Sequence, residues 1–367
     1  MIVPFLDLKA QLPSIRSEIE ERISEVIDNT AFVCGKKVQE FEKTFSKLHG
    51  VEHAVGLSSG TDGNHLAMLC CRIGAGDEVI LPVNTFIATA EAISYTGAKP
   101  VFVDVDEGTY NIDMNRIEEK ITSRTKAINP VHLFGQPADL EPMRGIAKKY
   151  NLFLIEDAAQ AHLAEYRGQR VGGIGDISSW SFYPGKNLGA WGEAGAITTN
   201  NEEMYRKARM LRDHGSEKKY YHDFIGFNYR MSEFQAAVLN VKMKYIEEWT
   251  EMRRANAEKY KARLKEIEQV IMPSELAGTR HVYHLYVVRV KERDKLQVYL
   301  RKNGVGTGIH YPFPLHLTPA YSYLGYKPGD FSVAERLASE ILSLPMYAEL
   351  TEKQIDYICE KIKAFYK

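Results

Sequence analysis

Apolar residues along this chain fall into two regimes. From His53 to about Asn200, short apolar runs alternate with segments of helical spacing. His53–Ser58, Glu78–Leu81, Pro100–Asp104, Ala127–Val131 and Leu152–Ile155 read as strands, and Trp180–Phe182 and Gly195–Thr198 follow close together. Leu66–Cys70, Ala90–Ser94 and Met143–Lys149 read as helices between them. The runs are continuous rather than alternating, which predicts a mostly parallel sheet covered on both faces.

After Asn228 the pattern changes. Ser232 is placed to cap a helix, and apolar spacing continues from Phe234 to about Ile267, long enough for a spine joining two domains. His281–Val290 alternates like a strand, Lys295–Arg301 and Glu335–Leu342 read as helices, and Thr351-Glu-Lys-Gln354 has the form of a capping box. The expected fold class is α/β, with a large domain over residues 1–245 and a smaller C-terminal α+β unit over residues 246–367.

Composition narrows the function. With 367 residues, 44% hydrophobic, 26% charged and a net charge of −1, the chain reads as globular, without a basic footprint for nucleic acid or an anionic membrane surface. It has no apolar run of about 18 residues, and its N-terminus lacks the pattern of a signal peptide, so a cytoplasmic protein is expected. The four cysteines, Cys34, Cys70, Cys71 and Cys359, lack zinc-site spacing. His281 and His284 would face opposite sides of a strand, and His310 and His316 have no companion carboxylate nearby in sequence, so no metal is expected.

Four segments carry chemistry. Ser58-Ser-Gly-Thr-Asp-Gly63 joins a strand to a helix, where free N–H groups can hold an anion. In Asn84-Thr-Phe-Ile-Ala-Thr89, Phe86 can stack on a flat ring. Ile155-Glu-Asp-Ala-Ala-Gln160 is a strand ending in two acids, and Ser181-Phe-Tyr-Pro-Gly-Lys186 presents a lysine about thirty residues later. A Schiff-base lysine and an aspartate that keeps a pyridine nitrogen protonated are the protein groups that pyridoxal phosphate chemistry needs. A lysine in an enclosed site can also act as nucleophile and proton carrier.

At these residues the chain resembles the DegT/DnrJ/EryC1/StrS family of sugar aminotransferases, a fold-type I, pyridoxal 5'-phosphate-dependent group. The likeness runs from Pro4-Phe-Leu-Asp-Leu8 through Ser59-Gly-Thr-Asp62, Glu156-Asp-Ala-Ala-Gln-Ala-His162, Ser181–Gly189 and Gly226-Phe-Asn-Tyr-Arg-Met231 to Gly308-Ile-His-Tyr-Pro312. It implies that Lys186 forms the Schiff base, Asp157 pairs with the ring nitrogen, Gln160 contacts the ring hydroxyl and Phe86 stacks on the ring. Gly60, Thr61 and Ser181 would hold the phosphate, with Asn228 reaching in from the second subunit of a homodimer. His310 and Tyr311 would lie near the nucleotide-sugar.

The implied reaction is transamination of a dTDP-linked 3-keto-6-deoxyhexose with L-glutamate as donor. Amination of a 4-keto nucleotide-sugar, or a non-catalytic regulatory protein that binds the cofactor, are the alternatives. A dehydratase of this fold would carry histidine in place of Lys186, and a silent binding protein is expected to lose Lys186 or Asp157. A nicotinamide dehydrogenase would need a glycine fingerprint after the first strand, and Gly173-Ile-Gly-Asp-Ile-Ser178 comes too late for that. The chain departs from the family pattern at Gly63-Asn64, where Ala-Leu is more usual, at Leu163, often glycine, and at Trp191-Gly-Glu-Ala194.

Overall fold

The computed structural model describes residues 1–367. Two helices come first, α1 (Leu12–Asp28) and α2 (Lys36–His49). Their apolar residues recur at helical spacing, and Ile15, Ile19, Val38, Phe41 and Phe45 all reach the core beneath the sheet. Full burial of such side chains stabilises by roughly 1.5–3 kcal/mol each, so Phe45→Ala would open a cavity costing about 3–5 kcal/mol.

The central unit then alternates: β1 (His53–Leu57), α3 (Gly60–Cys70), β2 (Glu78–Pro82), α4 (Ile87–Tyr95), β3 (Lys99–Val103), β4 (Thr125–Ile128), α5 (Leu140–Tyr150) and β5 (Phe153–Asp157). A two-residue pair, β6 (Glu165–Tyr166) and β7 (Gln169–Arg170), precedes β8 (Ile177–Ser181) and β9 (Gly195–Thr199). The main sheet has seven strands in the order β1-β9-β8-β5-β4-β2-β3. The pairings from β3 to β8 are parallel, while β9 runs antiparallel to both neighbours.

Every residue of β2 is buried, and its side chains divide between two cores, Ile80 on one face and Val79 and Leu81 on the other. This is why the strand runs read as continuous. It is the α/β fold expected. Strands β1, β2, β5 and β8 run in the same direction, so the loops that follow them all emerge from one edge of the sheet. Open α/β sheets bind ligands at such an edge.

Beyond α6 (Glu202–Arg212) a small hairpin, β10 (Ser216–Lys218) with β11 (Tyr221–His222), is exposed. The expected single helix from Phe234 to Ile267 is two helices, α7 (Glu233–Lys242) and α8 (Ile246–Leu264). A tight turn, closed by Lys244 N–H to Val241 and Tyr245 N–H to Lys242, separates them. Leu239, Val241, Ile246 and Trp249 all reach the same core across the turn. The apolar period therefore survives the break, and no glycine or proline marks it.

Two further expectations change. Of His281–Val290, the last five residues, Tyr286–Val290, form a strand of the smaller sheet. The preceding stretch is pulled onto the large unit by bonds from Val282 N–H to Gly135 and Leu285 N–H to Phe134, with Tyr283 at a φ of +45°. His281 and His284 are therefore not opposed residues of one strand. The helix expected at Glu335–Leu342 is Ser332–Glu340, after which Ile341–Leu344 pairs antiparallel with Tyr286–Arg289. The capping box forms as expected: Thr351 accepts from Gln354 N–H, and the Gln354 side chain accepts from Thr351 N–H. No helix is long and apolar enough to cross a membrane.

Candidate active site

Asp157 terminates β5 and is almost fully buried. Its Oδ1 accepts the Ala159 N–H at 3.1 Å, and its Oδ2 accepts both Asn64 Nδ2 at 2.9 Å and Thr89 Oγ1 at 2.8 Å. A buried carboxylate with three donors is satisfied as an anion. Glu156, one residue earlier, points to the opposite face, as strand alternation requires. It bonds to His132 Nε2 and to the N–H groups of Gly172, Ile174 and Gly175. Burial pushes the Glu156 carboxyl up, but the His132 bond and the glycine N–H groups outweigh it and hold it below its ordinary value.

Lys186 lies on the loop after β8. Part of its surface still faces a cleft, but its amine is closely surrounded by protein. Burial lowers the amine to about 8, against the opposing pull of the Asp157 carboxylate. Three histidines share its surroundings. His284 is held well below its ordinary value by burial and by Lys186, and its Nδ1 lies 3.3 Å from Asn187 Oδ1. Burial and then Lys186 lower His310 to about 4. His162 is held low by burial, then by His49 and Lys186, and neither of its ring nitrogens has a partner. All three are neutral near pH 7, so Lys186 is not held among fixed positive charges.

Gln160 links the two halves of the cleft. Its Oε1 accepts the Phe134 N–H at 2.7 Å and its Nε2 donates to Tyr311 Oη at 3.3 Å. Phe86 is exposed, with its ring 5.8 Å from that of Tyr311. His310 stacks on Phe5 at 5.6 Å and bonds through Nδ1 to Ser343 Oγ at 2.8 Å. The N-terminal Pro4–Leu8 segment thereby braces the small-unit side of the cleft.

At the other end, Ser59 caps α3 by accepting Asp62 N–H at 3.1 Å. The N–H groups of Gly60 and Thr61 precede the helix's own ladder and remain available to an anion. A Cβ on Gly60 would lie 2.6 Å from Ser181 Cβ, so glycine lets this turn meet the end of β8. Asn228 is exposed, and its Oδ1 accepts Arg230 Nε at 2.9 Å. Its side chain makes no hydrogen bond to the cluster, although the next residue, Tyr229, accepts Ser58 N–H through its carbonyl at 2.9 Å.

These groups suit pyridoxal phosphate: an anion cradle at one end, a buried carboxylate at the other, an aromatic face and a low-pKa lysine between them. Asn64, Thr89, His162 and His284 complete the setting, although the sequence assigns none of them a role in this site. Asn64 is the residue that departs from the usual Ala-Leu, which is the signal that could have found it. Leu163, where glycine is frequent, has a φ of +67°, a conformation that glycine adopts without strain, and is fully buried.

The fold and this cluster define a class, the pyridoxal phosphate-dependent enzymes of fold-type I. The chain belongs to the DegT/DnrJ/EryC1/StrS aminotransferase family, whose pattern matches residues 13–363. A Geobacillus stearothermophilus protein named a pleiotropic regulatory protein is 46% identical over 369 residues, covering 100% of this chain and 99% of the relative. A dTDP-3-amino-3,6-dideoxy-α-D-galactopyranose transaminase from Aneurinibacillus thermoaerophilus is 44% identical, covering 99% of each. A UDP-N-acetyl-3-dehydro-α-D-glucosamine 3-aminotransferase from Acidithiobacillus ferrooxidans is 42% identical, covering 98% and 97%. The crystal structure of S. venezuelae DesV in complex with a ketimine intermediate superposes with a TM-score of 0.98 at 40% identity, covering 100% of this chain and 99% of that one. By family the chain is thus an aminotransferase.

Proposed function

We propose that this enzyme transfers an amino group from L-glutamate to C3 of a dTDP-linked 3-keto-6-deoxyhexose, as a homodimer with shared sites. The observation that carries the aminotransfer reading is the placement of Lys186, with its amine lowered to about 8, in a cleft with the buried Asp157. The relative that makes a dTDP-3-amino-dideoxy sugar supports the choice of C3 and of dTDP.

When bound, pyridoxal phosphate supplies an aldehyde for amine exchange and a ring that withdraws electrons from the donor's α-carbon. Lys186 is the residue that would join that aldehyde and, once released, carry the proton away from the α-carbon. At pH 7 an amine of pKa about 8 is neutral in about one molecule in ten, roughly 300-fold more than at its ordinary value. Asp157 would face the ring nitrogen, Gln160 the ring hydroxyl and Phe86 the ring face. Gly60, Thr61 and Ser181 would hold the phosphate, with Asn228 from the partner subunit. His310 and Tyr311 would border the sugar, where a neutral His310 can hydrogen-bond to hydroxyl groups without attracting anions.

The relative named as a regulatory protein supports a second reading, a cofactor-binding chain without turnover. Retention of both Lys186 and Asp157 favours the enzyme. The decisive experiment incubates purified enzyme with glutamate and dTDP- or UDP-linked 3-keto and 4-keto sugars, and locates the new amine by NMR. Amine at C3 of the dTDP sugar is expected. Amine at C4, or preference for UDP, overturns the substrate assignment, and no amine with any sugar favours the regulator. Lys186→Ala should bind cofactor yet lose at least about 10³-fold in turnover. Mixed Asn228→Ala and Lys186→Ala subunits should recover activity above either parent, and a failure to do so counts against shared sites.

A further inference from the structure

Asn64 is a buried amide at a position where the family pattern more usually has leucine. It lies one turn into α3, is 2% exposed, and its helix is otherwise buried through Leu66, Ala67 and Met68. A buried amide is retained at little cost only if its groups are paired. Here Nδ2 donates to Asp157 Oδ2 at 2.9 Å, and Oδ1 accepts Ser179 Oγ at 2.8 Å. Ser179 is fully buried on β8, with Asp157 opposite it on β5.

The Asp157 carboxylate, which can only accept, decides which way the amide points. Nδ2 must face the carboxylate, and the Ser179 hydroxyl then donates to Oδ1 and holds the amide from its other side. The opposite orientation would place Oδ1 against Asp157 Oδ2. The carboxylate is thereby held unevenly: Oδ2 takes two side-chain donors, Asn64 and Thr89, whereas Oδ1 takes one, the Ala159 N–H. Oδ1 is the oxygen with acceptor capacity left for a ligand.

We propose that Asn64 is a positioning residue which, locked by Ser179, occupies one Asp157 oxygen and reserves the other for the ring nitrogen of the cofactor. This rests on the reading that Asp157 pairs with that nitrogen. Asn64 acts through Asp157 and touches neither cofactor nor substrate.

The probe is pyridoxamine 5'-phosphate labelled with 15N in its ring, which binds without bonding to Lys186. Its Kd and ring-nitrogen chemical shift are measured on full-length, cofactor-stripped protein, with a thermal melt of each variant. Asn64→Asp keeps the size of the side chain but turns an acceptor toward Asp157, while Asn64→Leu keeps the apolar volume and removes the donor. Loss of a hydrogen bond to a charged group predicts that Asn64→Leu weakens binding about 10-fold. Asn64→Asp should weaken it more, and both should move the ring 15N shift away from its protonated position.

A packing role predicts the reverse order, because Asn64→Asp is nearly isosteric, and that order overturns the proposal, as does wild-type behaviour of both. Should either variant fail to fold, Ser179→Ala removes just the hydroxyl that holds the amide oxygen in place. About 3-fold weaker binding with a shifted 15N resonance supports the proposal, and an unchanged resonance overturns it. A wild-type ring nitrogen that is unprotonated instead sinks the underlying Asp157 reading, so the two failures are told apart.

Discussion

The last two residues of β5 are carboxylates on opposite faces of one sheet, and their surroundings differ in kind. Glu156 is enclosed by the 172–175 loop, three of whose N–H groups point at it, with His132 and Ser178 Oγ completing the shell. A Cβ on Gly175 would lie 2.5 Å from the Leu154 carbonyl oxygen, so that loop has no slack. Asp157 is held by one N–H and two side chains from separate helices, in a cleft also bordered by Lys186, Gln160 and Tyr311. Both are buried and satisfied, but one is closed on every side and the other faces a cleft. Burial and hydrogen bonding alone do not separate the two; the acceptor capacity left on Asp157 Oδ1 does, and the role proposed for Asp157 rests on it.

The sharpest way to break this contrast is to remove each acid in turn. Asp157→Ala should lower turnover about 10³-fold while the protein remains folded, equivalent to about 4 kcal/mol of lost transition-state stabilisation. The measurements are steady-state kinetics with saturating pyridoxal phosphate and a thermal melt. A variant that melts at a lower temperature yet turns over normally while folded would make Asp157 a structural anchor like Glu156.

A second effect, about 300-fold in amine availability, belongs to the Asp157 side. In cofactor-free protein, trapping of Lys186 by a small aldehyde and borohydride should rise with pH to a midpoint near 8, not near 10.5. The sign follows from burial, which favours the neutral amine, so reactivity falls about tenfold per pH unit below the midpoint. Peptide mapping at several pH values reads it. A midpoint near 10.5 would mean that the cleft is open to water.

On the other face, Glu156→Gln removes a charge that five donors serve. A loss of about 1.5–3 kcal/mol is expected by denaturant titration, with kcat changed less than threefold. The Glu156 carboxyl is held below its ordinary 4.5, so its stabilisation is complete above that value and is lost as pH falls below it. The wild-type melting temperature should therefore fall more steeply than the variant's below pH 4.5. Parallel curves would remove Glu156 from the acid sensitivity of the fold.

These regions were unequally legible. Ser58–Gly63, Phe86, Glu156–Gln160 and Lys186 lie in loops or strand ends whose composition stands out locally, and the sheet brings them to one edge because their strands run the same way. Asn64, Thr89 and Ser179 meet Asp157 through contacts spanning 68 residues or more, or through each other, and no local pattern encodes that. His284 was hidden by an alternation that suggested a strand where Gly135 and Phe134 capture the chain instead. The turn between α7 and α8 was hidden because Val241 and Ile246 keep the helical period across it. Helices α1 and α2 were not read from the sequence, although Ile15, Ile19, Val38, Phe41 and Phe45 carry the helical period.

The smallest effect separates the two kinds of donor. Thr89 gives Asp157 a 2.8 Å hydrogen bond and shares a 3.0 Å contact with Thr85 Oγ1. Thr89→Val keeps the shape, removes the hydroxyl and leaves Asp157 with two donors. Because Asn64 still occupies Oδ2, the carboxylate stays satisfied and its direction changes little. A loss of about 1 kcal/mol in stability and about fivefold in kcat/KM is expected. By contrast, the N–H groups around Glu156 cannot be deleted singly without disturbing a loop that has no slack. If Thr89→Val cost as much turnover as Asp157→Ala, the hydroxyl would have to act on the chemistry directly, and the division of Asp157 into a held oxygen and a reserved one would fail.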